Sequence, residues 1–337
     1  MPLDNLTQSY LPAIEDELKS AIALTKKPGL ENLHQMMTYH MGWEGKGSGP
    51  KARGKRIRPL LTLLTTEAVG GDWNRALPAA AAVELIHNFS LLHDDIEDNS
   101  PLRRGRPTAW KLWGVPQAIN TGDAMFTLAH LAILRLEETA SSSIALKATR
   151  VLQNTCLHLT QGQYLDIAYE NREDLSLNDY WPMVTGKTAA LLGACTELGA
   201  LVADSEEETR VHYRHFGLNL GLAFQALDDL LGIWGDAAKI GKSNASDLVE
   251  GKKSLPVLFG LGKKGGFAAR WANGSITPAE VPGLADQLEA EGAFDYTKNI
   301  ADQLTGQALE ALEWANPQGN AGAALHELAN KLLQREL

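Results

Sequence analysis

The sequence predicts an all-α protein, a bundle of helices. Three observations carry that expectation: apolar residues recur at three- and four-residue spacing in six long runs, strand-like alternation is scarce, and glycine-rich clusters fall between the runs. A chain of 337 residues with 44% hydrophobic content can bury a large core. No fixed-period repeat and no dividing linker interrupts it, so a single domain over 1–337 is expected.

The runs follow one another along the chain. "LPAIEDELKSAIAL" (11–24) and "IRPLLTLLTTEAV" (57–69) are separated by the breaker "GKGSGPKARG" (45–54). "ALPAAAAVELIHNFSLLHDDI" (76–96) presents small side chains that suit close helix contact in a buried position, and it ends at "NSPLRRGRP" (99–107). "AINTGDAMFTLAHLAILRLEETA" (118–140) and "SIALKATRVLQNTCLHLTQGQYLDIAYE" (143–170) keep the same period. "GKTAALLGAC" (186–195) is again alanine-rich, and "LNLGLAFQALDDLLGIW" (218–234) is the last strong run before "GDAAKIGKSNASD" (235–247). From about residue 260 the pattern weakens, and short helices mixed with mobile connections are expected.

Composition removes several classes of function. The formal net charge of −10 argues against general affinity for nucleic acid or anionic membranes, which need a basic face. Any anionic ligand must then be met by local basic clusters or by metal ions. Cys156 and Cys195 have no CxxC spacing, so neither a disulfide framework nor a structural zinc site is suggested, and a reducing cytoplasm is the expected location. The amino terminus lacks the pattern of a signal peptide, and no stretch reaches the roughly 18 apolar residues of a membrane span, so stable membrane insertion is not expected.

The charged clusters carry the chemistry. A helix turns about 100° per residue, so Asp94 and Asp98 share a face with His87, while Asp95 and Glu97 flank it. Mg²⁺ prefers such hard oxygen ligands, taking one or two carboxylates and leaving positions for water or phosphate. An isolated acidic run is more often a solvated helix end. Here, however, a second pair, Asp228 and Asp229, again follows an apolar helix, with Asp236 seven beyond Asp229. "GKRIRP" places Lys55 and Arg58 three apart at a helix start, where free N–H groups also favour an anion. "LRRGRP" adds Arg103 and Arg104, whose planar donors suit phosphate oxygens, and Arg106, which reads better as ordinary surface charge. Lys187, Thr188, Lys242, Lys252 and Lys253 follow. A P-loop is excluded, because Trp181 and Asp236 stand where its first glycine is required.

"GKRIRP", "ELIHNFSLLHDDIEDNSPLRRGRPT", "GQYLD", "GKTAAL" and "FQALDDLLGIWGD" with the following "GK", "DL" and "KKSLP" resemble, in order and spacing, the trans-isoprenyl diphosphate synthase (polyprenyl synthetase) family, over roughly 50–260. Within that family the sequence is most similar to geranylgeranyl diphosphate synthases. The resemblance implies a helical bundle around a deep central cavity, usually a homodimer, with Mg²⁺ as cofactor, three ions to an active site. It implies that Asp94, Asp98 and Asp228 bind the metal on an allylic diphosphate. Lys55, Arg58, His87 and Arg104 resemble contacts to isopentenyl diphosphate. Arg103, Lys187, Thr188, Gln225 and Lys242 resemble allylic diphosphate contacts, and Lys252 a further phosphate-side lysine.

The implied reaction needs both signs of charge. Cleaving an allylic C–O bond separates a diphosphate anion from a carbocation, so most of the barrier is electrostatic. The double bond of isopentenyl diphosphate then attacks the cation, and the released diphosphate takes the departing proton. His93 reads as a packing residue, having no recognisable acid partner in the sequence, and Phe89 and Phe224 either face the cation or are simply core. Two departures stand out: Gly232 replaces the third aspartate of the second motif, with Asp236 a candidate substitute, and Arg53 replaces a glycine before "GKRIRP".

Chain length in the family depends on bulky residues four or five positions before the first motif, here Ser90 and Phe89. This pairing resembles geranylgeranyl diphosphate synthases, although Phe89 lies about 140° from Asp94 on an ideal helix and acts as a floor only if the cavity curves or the helix is distorted. A terpene cyclase would keep the metal motifs without Lys55, Arg58 and His87. A non-catalytic partner subunit would have no need of two acidic clusters.

Overall fold

The computed structural model describes residues 2–235 and 246–333, and helices dominate it as the periodicity predicts. They gather into two compact units, each made from separate stretches of chain. The first takes the residues up to Asn154 with Ala194–Val211 and Asn316–Leu325. The second takes Thr155–Gly193, His212–Ala315 and the residues from His326 onward.

In the first unit, α1 (Pro2–Ala23), α2 (Glu31–His40), α3 (Pro50–Arg53) and α4 (Ile57–Ala68) lead to α5 (Leu77–Glu97), the helix of the first acidic motif. Pro78 occupies the first turn of α5, where a missing N–H is tolerated. Ala79, Ala80, Ala81 and Ala82 are all buried, which lets neighbouring helices come close. A hairpin of β1 (Leu102–Arg103) and β2 (Arg106–Pro107) follows. Its two turn residues, Arg104 (φ 53°) and Gly105 (φ 75°), are both left-handed, as the natural twist of a two-residue hairpin requires. Then come α6 (Ala109–Trp113), α7 (Val115–Leu134), α8 (Leu136–Thr139) and α9 (Ser142–Tyr169). Helices α5 and α7 pair extensively. Gly199 lets its helix approach α4: a Cβ there would lie 2.5 Å from the Thr62 carbonyl oxygen, and the Thr66 hydroxyl donates to the Gly199 carbonyl at 3.0 Å.

In the second unit, α10 (Leu177–Val184) begins with a Ser176–Asp179 capping box and passes through a π-helical turn, Thr185–Ala189, into α11 (Ala190–Val202), which from Ala194 belongs to the first unit. Helix α12 (Glu207–Trp234) carries the second acidic motif. Next come α13 (Ser246–Glu250), α14 (Leu255–Lys263), α15 (Gly266–Trp271) and α16 (Val281–Ala290), then α17 (Ala293–Trp314) and α18 (Gly319–Leu333). Ile233, Leu248, Val257, Phe267 and Leu288 belong to one buried cluster. Complete burial of a side chain such as Phe267 contributes about 1.5–3 kcal/mol.

The carboxyl third is more regular than its sequence predicts, since α17 alone runs for 22 residues. Its buried positions include Ala301, Ala308 and Ala311. Alanine contrasts weakly with its polar neighbours, so the period is faint in the sequence. Among the described residues, no helix is long and apolar enough to cross a membrane.

Candidate active site

The "GKRIRP" segment is held by charge from within. Arg56, 3% exposed, takes a left-handed conformation (φ 49°) that a non-glycine residue adopts at a cost. Its guanidinium donates to Glu15 of α1 at 2.9 Å, to Glu84 of α5 at 2.9 Å and to the Met41 carbonyl at 3.2 Å. Burial opposes the charge of Arg56, but the two carboxylates outweigh it and hold the arginine protonated. This turn leaves Lys55 exposed and Arg58 half-buried. Gly54 is needed for close approach, since a Cβ would sit 2.7 Å from Arg104 Nη2. Arg104 Nη1 donates to the Ala52 carbonyl at 2.8 Å, which fastens the hairpin turn to the same loop.

Around this loop the positive groups are crowded and poorly neutralised. Burial, then Arg58, Arg104 and Arg103, keep the His87 pKa well below the usual histidine range. Burial, then Arg103 and Arg104, push His40 down to about 3, while its ring bonds the Asn88 backbone. Burial also lowers Arg58 and Arg104. Both histidines are therefore neutral hydrogen-bonding groups among arginines. Arg58 Nε has no hydrogen-bond partner among the described residues. Such an arrangement is suited to an anion that brings the missing negative charge.

The first acidic motif lies at the other side of Arg103. That guanidinium donates from Nη2 to Asp94 Oδ2 at 3.0 Å and from Nε to Asp95 Oδ1 at 2.7 Å. Asp94 is in the last turn of α5 and Asp98 caps its C-terminus, one turn further on, whereas Asp95 is buried. Burial pushes Asp95 up to about 6, partly offset by Arg103. Among the described residues no three His, Cys, Asp or Glu side chains converge into a cage for a metal ion. Asp94 and Asp98 offer hard carboxylate oxygens of the kind a divalent metal takes when phosphate and water complete its shell.

The second unit aims Lys187 through an unusual backbone. Lys187 lies in the π-helical turn, which displaces side chains from their α-helical directions. Gly186 and Gly162 of α9 meet closely: a Cβ on Gly162 would stand 2.1 Å from the Lys187 nitrogen, and one on Gly186 2.5 Å from the His158 carbonyl. Lys187 Nζ pairs with Asp166 of "GQYLD" at 2.5 Å. The Thr188 hydroxyl donates to Gln225 at 2.9 Å, and Asp228 is exposed beyond it on α12. Lys253 donates to the Tyr169 and Glu170 carbonyls, while Lys252 pairs with Glu250 at 3.1 Å. Lys242 and Asp236 lie outside the described residues. At Gly232 the space for a side chain is taken by another acid: a Cβ would lie 2.3 Å from Asp247 Oδ2.

Several sequence expectations change in detail. Arg106 is not surface charge but is 7% exposed, donating to the Lys46, Tyr39 and Glu44 carbonyls and stacking on the Tyr39 ring at 3.9 Å. Its partners are backbone groups of a distant loop, which no sequence pattern announces. His93 does have an acid near it, Asp123 of α7 at 3.6 Å, and its ring packs on Phe89. Gly122 makes room for that ring. Phe89 also meets Phe126 of α7 at 5.0 Å, and the Ser90 hydroxyl bonds the His87 carbonyl. Helix α5 is continuous from Leu77 to Glu97, so Phe89 points toward α7 without distortion of its helix. Arg56, Glu15, Glu84, His40 and Tyr180 carry no sequence signal that marks them for the site, since their partners are distant in the chain.

These two sites define an all-α enzyme that handles diphosphates, and the chain belongs to the polyprenyl synthetase family, whose model matches residues 48–270. It is 39% identical over 289 residues to a geranylgeranyl diphosphate synthase of Mycobacterium tuberculosis, covering 84% of this chain and 82% of that one. It is 36% identical over 315 residues to a (2E,6E)-farnesyl diphosphate synthase of the same organism, covering 90% and 87%. The crystal structure of a geranylgeranyl pyrophosphate synthetase from Pyrococcus horikoshii matches with a TM-score of 0.89 at 32% identity, covering 99% of this chain and 98% of that one. The protein is accordingly a trans-prenyltransferase that acts on isoprenoid diphosphates, in a family that uses a divalent metal.

Proposed function

We propose that the protein condenses isopentenyl diphosphate with an allylic diphosphate and releases geranylgeranyl diphosphate, working as a single-domain homodimer in the cytoplasm with Mg²⁺. The observation that carries an elongating synthase over a cyclase is the cluster of Arg58, His87 and Arg104. It is a concentration of positive charge distinct from the Asp94 and Asp98 carboxylates, as a second diphosphate would need.

In this reading Lys55, Arg58, His87 and Arg104 bind isopentenyl diphosphate. Arg103, Lys187, Thr188, Gln225, Lys242 and Lys252 bind the allylic diphosphate. Asp94, Asp98 and Asp228 hold the metal, three ions to a site, and when bound it draws negative charge from the leaving diphosphate. Arg103 and Lys187 add fixed positive charge at the oxygens where negative charge develops. Neutral His87 donates a hydrogen bond without supplying a base, and the departing diphosphate takes the proton. The relatives named as geranylgeranyl diphosphate synthases, together with the Phe89 ring before the first motif and the Phe126 ring of α7 that it meets, support the twenty-carbon product.

The direct test is incubation of the purified protein with Mg²⁺, isopentenyl diphosphate and each allylic diphosphate in turn, with product masses recorded. Elongation ending mainly at twenty carbons is expected. Hydrocarbon formed without consumption of isopentenyl diphosphate would instead make the protein a cyclase. Phe89→Ala removes one ring of the Phe89–Phe126 pair and is expected to shift products toward longer chains. An unchanged product distribution would remove Phe89 as the floor.

A further inference from the structure

The two adjacent aspartates of the second acidic motif occupy opposite surroundings. Asp228 is exposed, whereas Asp229 is only 5% exposed. Asp229 Oδ2 accepts from the Tyr180 hydroxyl at 2.8 Å and from the Leu255 backbone N–H at 2.8 Å, and Oδ1 accepts from Gln225 Nε2 at 2.9 Å. These donors come from α10, from the start of α14 and from the preceding turn of α12 itself. Three hydrogen bonds on one buried carboxylate are a reason to separate its role from that of its exposed neighbour.

The bonds also have a direction. Tyr180, Leu255 and Gln225 all donate to Asp229, so its carboxylate serves as an acceptor at both oxygens, whereas a glutamine amide has one donating end and one accepting end. Asp229 obliges Gln225 to turn its NH2 inward, and the amide oxygen is thereby presented to Thr188. The Thr188 hydroxyl answers by donating to that oxygen at 2.9 Å. Its proton is committed to Gln225, so toward the allylic site the oxygen presents lone pairs, which suit a cation there and not a diphosphate oxygen. One buried carboxylate therefore sets the polarity of two residues assigned to the allylic site.

We infer that Asp229 is a positioning residue for the reaction, fixing the orientation of the Gln225 amide and the direction of the Thr188 hydroxyl rather than holding metal. The inference rests on the assignment of Thr188 and Gln225 to the allylic site. Asp229→Asn is nearly isosteric and keeps an oxygen toward Tyr180 and Leu255, but it places an NH2 against Gln225. The Gln225 amide must then turn over, and Thr188 must accept where it formerly donated. A second change, Gln225→Glu in the Asp229→Asn background, restores an acceptor to both neighbours with the total charge unchanged.

Steady-state kinetics on the full chain test this. Asp229→Asn is expected to lower kcat on the order of 100-fold, with the KM for isopentenyl diphosphate nearly unchanged, as misdirected groups at a reacting centre do. The double variant is expected to regain at least about tenfold of that loss by restoring the hydroxyl direction. Tyr180→Phe removes one donor without altering polarity, and should lower the melting temperature while keeping kcat within about threefold. The inference is overturned if Asp229→Asn stays within about threefold of the parent, if the double variant is no faster than Asp229→Asn, or if Tyr180→Phe loses as much kcat as Asp229→Asn. Thr188→Val is measured in parallel. Unchanged kcat and unchanged allylic KM in that variant would remove the allylic-site assignment itself, a failure distinct from the other three.

Discussion

Asp94→Ala is expected to reduce kcat by at least about 1,000-fold, because several kcal/mol of charge stabilisation depend on a cation held at this carboxylate. The fold should survive the change. Asp94 is at the last turn of α5 with its side chain 20% exposed, and Arg103 keeps its 2.7 Å bond to the buried Asp95. The melting temperature should therefore move little while turnover collapses. Titration of Mg²⁺ into the protein with a non-reactive allylic diphosphate analogue should show weaker metal uptake, which separates loss of a ligand from general damage. Near-normal turnover at saturating Mg²⁺ would contradict the metal role of Asp94.

The two acidic motifs illustrate what a sequence can and cannot convey. The four-residue spacing of Asp94 and Asp98 fixes their common face, because helix geometry is local. The same spacing does not tell which member of an adjacent pair is buried. Asp95 and Asp229 look identical to their neighbours in the sequence, yet burial and specific donors set both apart. Apart from Gln225, one turn earlier on the same helix, those donors come from Arg103, Tyr180 and the Leu255 backbone, none of them a helical neighbour. The π-helical turn at Lys187 is equally silent, since π and α turns use the same residues. Its only trace is the pair Gly162 and Gly186, whose closeness becomes apparent in space. Arg106 was misjudged because a charged side chain in a glycine-proline loop is ordinarily solvated, whereas here three backbone carbonyls replace the water.

The Gly232 departure also acquires a physical cause. A side chain at 232 would collide with the Asp247 carboxylate, so an aspartate there and the observed place of Asp247 are mutually exclusive. Asp236, the substitute suggested by spacing, is not needed to explain why glycine stands at 232.

Arg56→Met should have the largest effect on stability, although Arg56 is outside the pair of Lys55 and Arg58 proposed to meet substrate. Removing the guanidinium leaves Glu15, whose side chain is 11% exposed, and Glu84, 3% exposed, without their cationic partner. Breaking a buried ion pair in this way costs about 3–5 kcal/mol. The left-handed backbone at position 56 adds to the loss, because the guanidinium bonds are what hold a non-glycine residue there. Denaturant unfolding of Arg56→Met should show a deficit of that size, and a loss below about 1 kcal/mol would deny the network its structural role. The triple variant Glu15→Gln, Arg56→Met, Glu84→Gln distinguishes stranded charge from lost backbone restraint. Glutamine still accepts from Trp43 and Asn88, the other partners of these two positions, but carries no charge. The triple variant should recover more than half of the stability, because the stranded charges are gone. Its KM for isopentenyl diphosphate should nevertheless stay raised about tenfold, since nothing then fixes the turn that sets Lys55 and Arg58 in register. Recovery of both stability and KM would mean that the arginine merely neutralises the two glutamates, and that the anion-binding loop holds its shape without it.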